Sequence, residues 1–481
     1  MTTRKRASRS CRAPWALAAL LALAGCDFNI VNTNAPTVEQ LQGAPSRDLV
    51  GALALGVFAA AYNDLAATIE FYSIYGREGY NLLGNDPRET GEQVRGPQDP
   101  TGRNAGIWLN QYSAIRTDNT FLDAVTRAAG LTDPERRAAA GFAKTFKAWH
   151  LYRLAIRTGD FGIPVEVRNL GEPPAPFVSF ARALETVSAL LDEAYQDLLA
   201  AGNVAFPFRF PPGYTGFTTP STFARFNRAL AAKVFVHRAT FVNCQACWQQ
   251  ALTALDNSFL TTANLPGSLS TGVYYAYSNA ANEPANPITE PITSNRYWVH
   301  PSIWNGAQRR PDGSPDLRLT RKVVDAGRSR TLNDLTSRYK LILYNDPNDP
   351  TRPNLAAPIP WITNEELLLL RAEARWFTGD RANAIADINL VRVNSGGLAP
   401  TTLTPASSTD DFVTELLYNR LYSLLWTQGT RWIDARRYNR LNTLPIDRPG
   451  DQVFRQMLVP AQECDARGLP IPCNPLQQQG G

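Results

Sequence analysis

Residue types that run hydrolytic or transfer chemistry are sparse in this chain of 481 residues. It holds three histidines, and two of them, His150 and His237, fall inside apolar helical windows where a core histidine is the simpler reading. The third, His300, stands in a loop beside Trp298 and Pro301. No cysteine nucleophile or G-x-S-x-G turn accompanies it, and H-E-x-x-H, the P-loop pattern and a G-x-G-x-x-G after a strand are all absent. Paired carboxylates can hydrolyse glycosides on a helical scaffold, and Glu70, Glu78 and Asp86 lie among aromatics, so a helical-fold glycosidase stays as an alternative. With 43 acids in the chain, such proximity arises easily. What stands out instead is two clusters of loop aromatics: Tyr72, Tyr75, Tyr80 and Trp108, then Tyr274, Tyr275, Tyr277, Tyr297, Trp298 and Trp304. Flat rings stack on the C–H faces of sugars while polar neighbours such as Arg77, Asn81, Asn85, Asn295 and Arg296 hold hydroxyls. On this reading the ligand contacts are Tyr72, Tyr75, Arg77, Tyr80, Trp108, Tyr275, Tyr297, Trp298 and Trp304. The competing reading is that these rings pin long loops onto the body.

Other cues bear on the compartment. Arg4, Lys5, Arg6, Arg9 and Arg12 precede an apolar run from Trp15 to Ala24 that is too short to span a bilayer, the pattern of a secretion signal. Its end, Leu23-Ala24-Gly25-Cys26, resembles a bacterial lipobox, in which Cys26 is acylated and becomes the first residue. Two or three acyl chains, at about 0.8 kcal/mol per buried methylene, hold such a protein on a membrane without a spanning helix. Taking the leader's five basic residues from the 48 Lys+Arg leaves 43, equal to the 43 Asp+Glu. A neutral balance argues against nucleic acid and suits an uncharged ligand. Four cysteines then remain as two local pairs, Cys244/Cys247 and Cys464/Cys473, and an oxidising compartment favours disulfides. Zinc is the rival, but 216 residues between the pairs is poor ligand spacing, so neither a metal nor a cofactor is expected.

Helices must position these groups. Phe142, Phe146, Trp149, Tyr152 and Ile156 recur at helical steps, as do Phe223, Phe226, Leu230, Val234, His237 and Phe241. Val187, Leu190, Ala194 and Leu198 repeat the pattern, and so do Val413, Leu417, Leu421 and Leu424. Capping boxes are expected at Thr132/Glu135 and Thr363/Glu366. Residues 364–393 read as two helices joined at Thr378-Gly379-Asp380, with Ala372, Ala374, Ala382, Ala384 and Ala386 allowing close approach, a tetratricopeptide-type pair. Strand signals are confined to short pieces such as 272–277 and 339–344, so only small hairpins are expected. Pro/Gly/Asn-rich segments interrupt the helices at roughly 76–106, 202–221, 262–315 and 344–360, and loops of that length are usually functional. The expected organisation is a leader over 1–25, the acylated cysteine and a tether over 26–39, and one domain over 40–481 with ligand-binding insertions at about 70–112 and 262–315.

Several motifs carry a resemblance. Asn32-Thr33-Asn34-Ala35-Pro36-Thr37 follows the lipobox, and residues 143–165 form a long aromatic helix ending in Phe161-Gly162-Ile163-Pro164, with Asp160 ahead of the phenylalanine where the usual order is Gly-Asp-x-Pro. Near the C-terminus come Arg420, Gly429, Arg431, Asp434 and Arg437, with Asn419 and Gln428 in place of the usual acids, then Pro460/Glu463 and Asn474-Pro475. In order and spacing this set resembles the RagB/SusD outer-membrane lipoproteins, over nearly the whole chain. The closing Asn-Pro-Gly-Tyr of that family is missing, and the Cys464/Cys473 insertion lies in the same stretch. Taken alone, Arg431 and Asp434 are three apart on a helix and are expected to pair, which makes that motif structural.

The resemblance implies a mainly α fold: a SusD-like helical body of tetratricopeptide-like pairs with long loops and a few short β-hairpins. It also implies a non-enzymatic nutrient-binding lipoprotein. Such a protein sits on the outer membrane facing the cell exterior, captures oligosaccharides or peptides, and passes them to a TonB-dependent, SusC-like transporter. A lipid-anchored helical-repeat scaffold for envelope assembly is the other reading.

Overall fold

The computed structural model describes residues 43–168 and 171–478. The leader, Cys26 and the Asn32–Thr37 segment lie outside the described residues. The folded body is the unit from Pro45 onward.

Its helices begin with α1 (Arg47–Ala61) and α2 (Leu65–Tyr75), a stretch long and apolar enough by composition to cross a membrane. Here it is broken at Asn63-Asp64 and contributes Val50, Val57, Phe58, Ile69 and Phe71 to the core. Then come α3 (Gly102–Arg127), α4 (Asp133–Thr158), α5 (Phe180–Ala201), α6 (Pro220–Phe241) and α7 (Ala246–Asp256). From α3 to α7 each packs on the next in sequence, and α7 also meets α8 (Asn364–Phe377).

Helix α4 shows why these segments are helical. Thr132 Oγ1 accepts from the Glu135 N–H, the Glu135 carboxylate accepts from the Thr132 N–H at 2.8 Å, and a proline stands in the first turn. Its apolar face, Phe142, Phe146, Trp149, Tyr152 and Ile156, is buried as the spacing predicts. Thr132→Ala leaves the first turn without its cap and is expected to cost about 1 kcal/mol in denaturant unfolding.

The expected hairpin is α8 followed by α9 (Arg381–Asn394), turning at Thr378-Gly379-Asp380. Ala372, Ala374 and Ala384 are buried, but Ala382 and Ala386 face outward and so do not set the approach of the pair. The expected box at Thr363 does not form: Thr363 makes no side-chain cap bond. Glu366 pairs instead with Lys233 Nζ at 3.0 Å, a buried cation that claims the carboxylate more strongly than a backbone N–H would.

Sheet content exceeds the two predicted hairpins while staying small. The strands are β1 (Gly79–Asn81), β2 (Ile163–Pro164), β3 (Phe177–Val178), β4 (Gly272–Tyr275), β5 (Tyr297–Val299), β6 (Val323–Leu332), β7 (Leu335–Leu341), β8 (Asn345–Asp346), β9 (Asp349–Pro353) and β10 (Ile359–Thr363). A four-stranded sheet runs β1-β5-β7-β6, and β10-β4, β2-β3 and β8-β9 form two-stranded ribbons. The ten-residue β6 has no clean alternation because its register shifts between Asp325 and Arg330, around Gly327.

The C-terminal motif is built from α10 (Thr409–Leu424) and α11 (Thr430–Arg437). Arg431 and Asp434 do not pair. Asp434 accepts from Arg420 Nε at 2.7 Å and Arg437 Nε at 2.8 Å, and Arg437 also grips Glu373 of α8. Arg431 turns away and donates to the Arg77 carbonyl at 2.8 Å. Helical spacing alone makes residues 431 and 437 equally close to 434, so the tertiary partners decide. The N-cap of α11 is Gly429, which has no side chain to give, and Glu78 takes its place by accepting the N–H groups of Trp426 at 2.7 Å and Arg431 at 3.2 Å.

Candidate ligand-binding site

Eight of the nine residues expected to touch ligand are buried. Tyr72 and Tyr75 pack on Trp432 with ring centroids 4.8 and 5.4 Å away. Arg77 is fully enclosed and donates to four backbone carbonyls, those of Ile74, Val94, Pro445 and Gln452. Tyr80 lies beside His300, and Trp108 stacks on Phe177 beneath the Arg157 guanidinium. Tyr275 stacks on Trp361 at 4.7 Å, the Tyr297 hydroxyl donates to Glu70 at 3.1 Å, and the Trp298 indole donates to the Asn295 carbonyl at 3.0 Å. Only Trp304 is half-exposed, stacked on Tyr339 at 4.7 Å. The expectation of exposed platforms is therefore corrected: large rings gain more from core burial, and the polar groups of Arg77, Tyr297 and Trp298 meet internal partners.

The groups considered for catalysis are likewise engaged. His150 and His237 are core histidines, bonded to Gln111 at 2.9 Å and to the Tyr152 hydroxyl at 2.8 Å, and burial holds both well below the ordinary imidazole value. His300 faces Asp447 at 2.9 Å through Nε2 and Ser302 Oγ at 2.8 Å through Nδ1. Because Nδ1 also accepts the Ser302 backbone N–H at 3.0 Å, the imidazole serves as a helix cap. Glu70 is buried between Arg103 at 3.0 Å and Arg296 at 3.4 Å, while Asp86 pairs with Arg88 on the surface. Burial pushes Glu78 up to about 7 against the pull of its backbone donors, and its role is the cap on α11. Glu70, Glu78 and Asp86 line neither of the two concavities described below. Among the described residues no group of three His, Cys, Asp or Glu side chains is placed to hold a metal. The cysteines pair locally, Cys244 with Cys247 and Cys464 with Cys473.

A cleft of about 490 Å³ opens elsewhere, where the β4–β10 ribbon, the 344–358 loop, the start of α8 and the 423–430 turn converge. Its back wall is Trp361, sandwiched between Trp149 at 5.4 Å and Tyr275 at 4.7 Å, with an indole N–H that meets no acceptor among the described residues. Half-buried Tyr274 forms one flank, and Tyr344, Asn345 and Asn354 line the wall across the cleft. Gln428 is held by its amide, which donates to the Pro360 and Trp361 carbonyls at 3.0 and 2.7 Å, leaving its oxygen free to accept.

Of the charged groups around this cleft, Arg321 stands exposed with only a 3.4 Å bond to the Ser395 carbonyl, and the others are engaged. Lys233 pairs with Glu366, and Glu365 accepts the Ser423 hydroxyl at 2.5 Å. Lys322 donates to the Tyr422 and Ser423 carbonyls, both at 2.6 Å, and burial lowers its ammonium to about 8. The result is a lining in which the half-buried Tyr274 ring stands beside amide groups and one exposed cation, a surface able to stack on a sugar ring and bond its hydroxyls. Sequence reasoning passed over Trp361, Tyr344 and Gln428, although the flagged 344–360 segment runs along this cleft. Of the two aromatic clusters, the second contributes Tyr274 here.

No protein-family model matches the chain, and no curated protein matches it in sequence. Solved structures do. A SusD superfamily protein from Parabacteroides distasonis superposes with a TM-score of 0.63 at 15% identity, covering 86% of this chain and 97% of that one. A laminarin-binding SusD-like protein gives 0.61 at 17%, covering 86% and 97%. Surface glycan-binding protein A from Bacteroides fluxus gives 0.61 at 15%, covering 87% and 97%. With nearly the whole of each neighbour matched, the chain has the SusD fold.

Proposed function

We propose that this protein is a surface-exposed lipoprotein of the RagB/SusD kind that captures oligosaccharides and hands them to a TonB-dependent transporter, without converting them. The observation that carries the reading is the cleft at Trp361, where the half-buried Tyr274 ring stands beside amide groups, the Gln428 oxygen among them. Two structural neighbours named for laminarin and surface-glycan binding support the ligand class. Lipid on Cys26 would keep the body at the outer membrane, and the leader sequence supports that anchor.

Isothermal titration of the mature protein against neutral glycans and peptides tests the capture role. A hit confined to glycans, weakened about tenfold by Tyr274→Ala with an unchanged unfolding transition, is the expected result, since a stacked ring contributes about 1–1.5 kcal/mol. Silence across both panels would sink the reading.

A further inference from the structure

A second concavity of about 420 Å³ lies against the first and shares Ser270, Tyr274 and Pro358 with it. Tyr274 is the partition: its hydroxyl donates to the Ser270 carbonyl, which fixes the ring between the two spaces. The far wall is Tyr277, set edge-on to Tyr62 at 5.5 Å, and its hydroxyl makes no hydrogen bond within the described residues. Thr215, Thr271 and Phe217 complete the lining. No lysine, arginine, aspartate or glutamate lines this space.

The walls are held in place. A Cβ on Gly213 would sit 2.0 Å from the Tyr274 carbonyl oxygen, so the 212–214 turn lies directly on β4. Tyr62 Oη both donates to the Ala276 carbonyl and accepts from its N–H at 2.9 Å, which pins the strand end that carries Tyr277. A rigid, ring-bearing hollow with free hydroxyls matches one pyranose unit, and a carboxylate buried there would find no cation.

We propose that the hollow at Tyr277 is a second subsite, divided from the Trp361 cleft by Tyr274, and that the two together take successive units of one uncharged oligosaccharide chain. This rests on the glycan-capture reading above and adds to it a length requirement and a charge preference. A ligand that fills only the first cleft makes half of the available ring contacts, so affinity rises with chain length until both spaces are filled.

The test is titration of the mature protein with neutral glucan oligomers from disaccharide to octasaccharide, and with uronic acid oligomers of matching length. The expected result is an affinity gain of about tenfold with length followed by a plateau, with weaker binding of the uronic acid chains long enough to enter the hollow. In Tyr277→Ala the ratio of long-chain to short-chain affinity falls to about one, and Tyr277→Phe, which keeps the ring, retains part of it. Length-independent binding, equal affinity for uronic acid chains, or an unchanged ratio in Tyr277→Ala overturns the second subsite while leaving glycan capture in place. Failure of every saccharide to bind overturns both.

Discussion

Asp434→Ala is expected to lower the unfolding free energy by about 3–5 kcal/mol, measured by denaturant titration followed through tryptophan fluorescence. The carboxylate sits at 3% exposure and accepts from Arg420 and Arg437, so its removal strands two guanidiniums in the core with only Glu373 and Glu366 nearby. Asp434→Asn should cost nearly as much, because an amide cannot accept on both sides without turning a donor toward one of the arginines. Burial alone would raise this carboxyl, yet the two arginines outweigh it and hold it below the ordinary carboxylate value. The group thus contributes stability that is fully present above its unfolded value of about 3.9 and is lost as pH falls through the lower folded one. The wild type should therefore lose more stability in that acid window than the Asn variant does.

Gly429→Ala is expected to be comparably severe, at about 2–5 kcal/mol. Gly429 adopts φ +64°. A methyl group there would lie 1.9 Å from the Tyr72 Cβ and 2.9 Å from its Cα, and those are main-chain and first-carbon atoms that no rotamer change can move. Left-handed backbone strain of about 1–2 kcal/mol adds to overpacking of about 1–3 kcal/mol. Thermal unfolding of the variant checks this, and a transition unchanged from wild type would show that Tyr72 and α11 can separate freely.

These two positions also show what was legible in advance. Gly429, Asp434 and Arg437 stood out as a spaced motif, and the expected pairing of Arg431 with Asp434 marked it as structural. Which arginine Asp434 would hold could not be inferred, since helical spacing makes Arg431 and Arg437 equivalent and only α10 supplies Arg420. The helices were readable because their apolar faces repeat every three or four residues over long windows. Strand β6 was not, because its bulge at Gly327 breaks the period-two signal.

The candidate site was the least legible part. Ring type says that a residue is large and amphipathic, but not which side of a loop faces inward. Tyr275 and Tyr274 are neighbours on one strand, and alternation alone sends the first into the Trp361 stack and the second to the cleft. The same composition that marked residues 70–112 as loop aromatics is satisfied there by core packing, with Tyr72, Tyr75 and Tyr80 at 3% exposure or less.

The cap that Glu78 places on α11 joins residues 348 and 353 positions apart in the chain. Contacts of such high sequence separation close last, after the loop entropy between them has been met by everything in between. During synthesis the first two helices therefore leave the ribosome without the partner that covers Tyr72 and Tyr75. A chain truncated before residue 426 should keep its early hairpins yet present an open apolar seam, a substrate for proteases and chaperones.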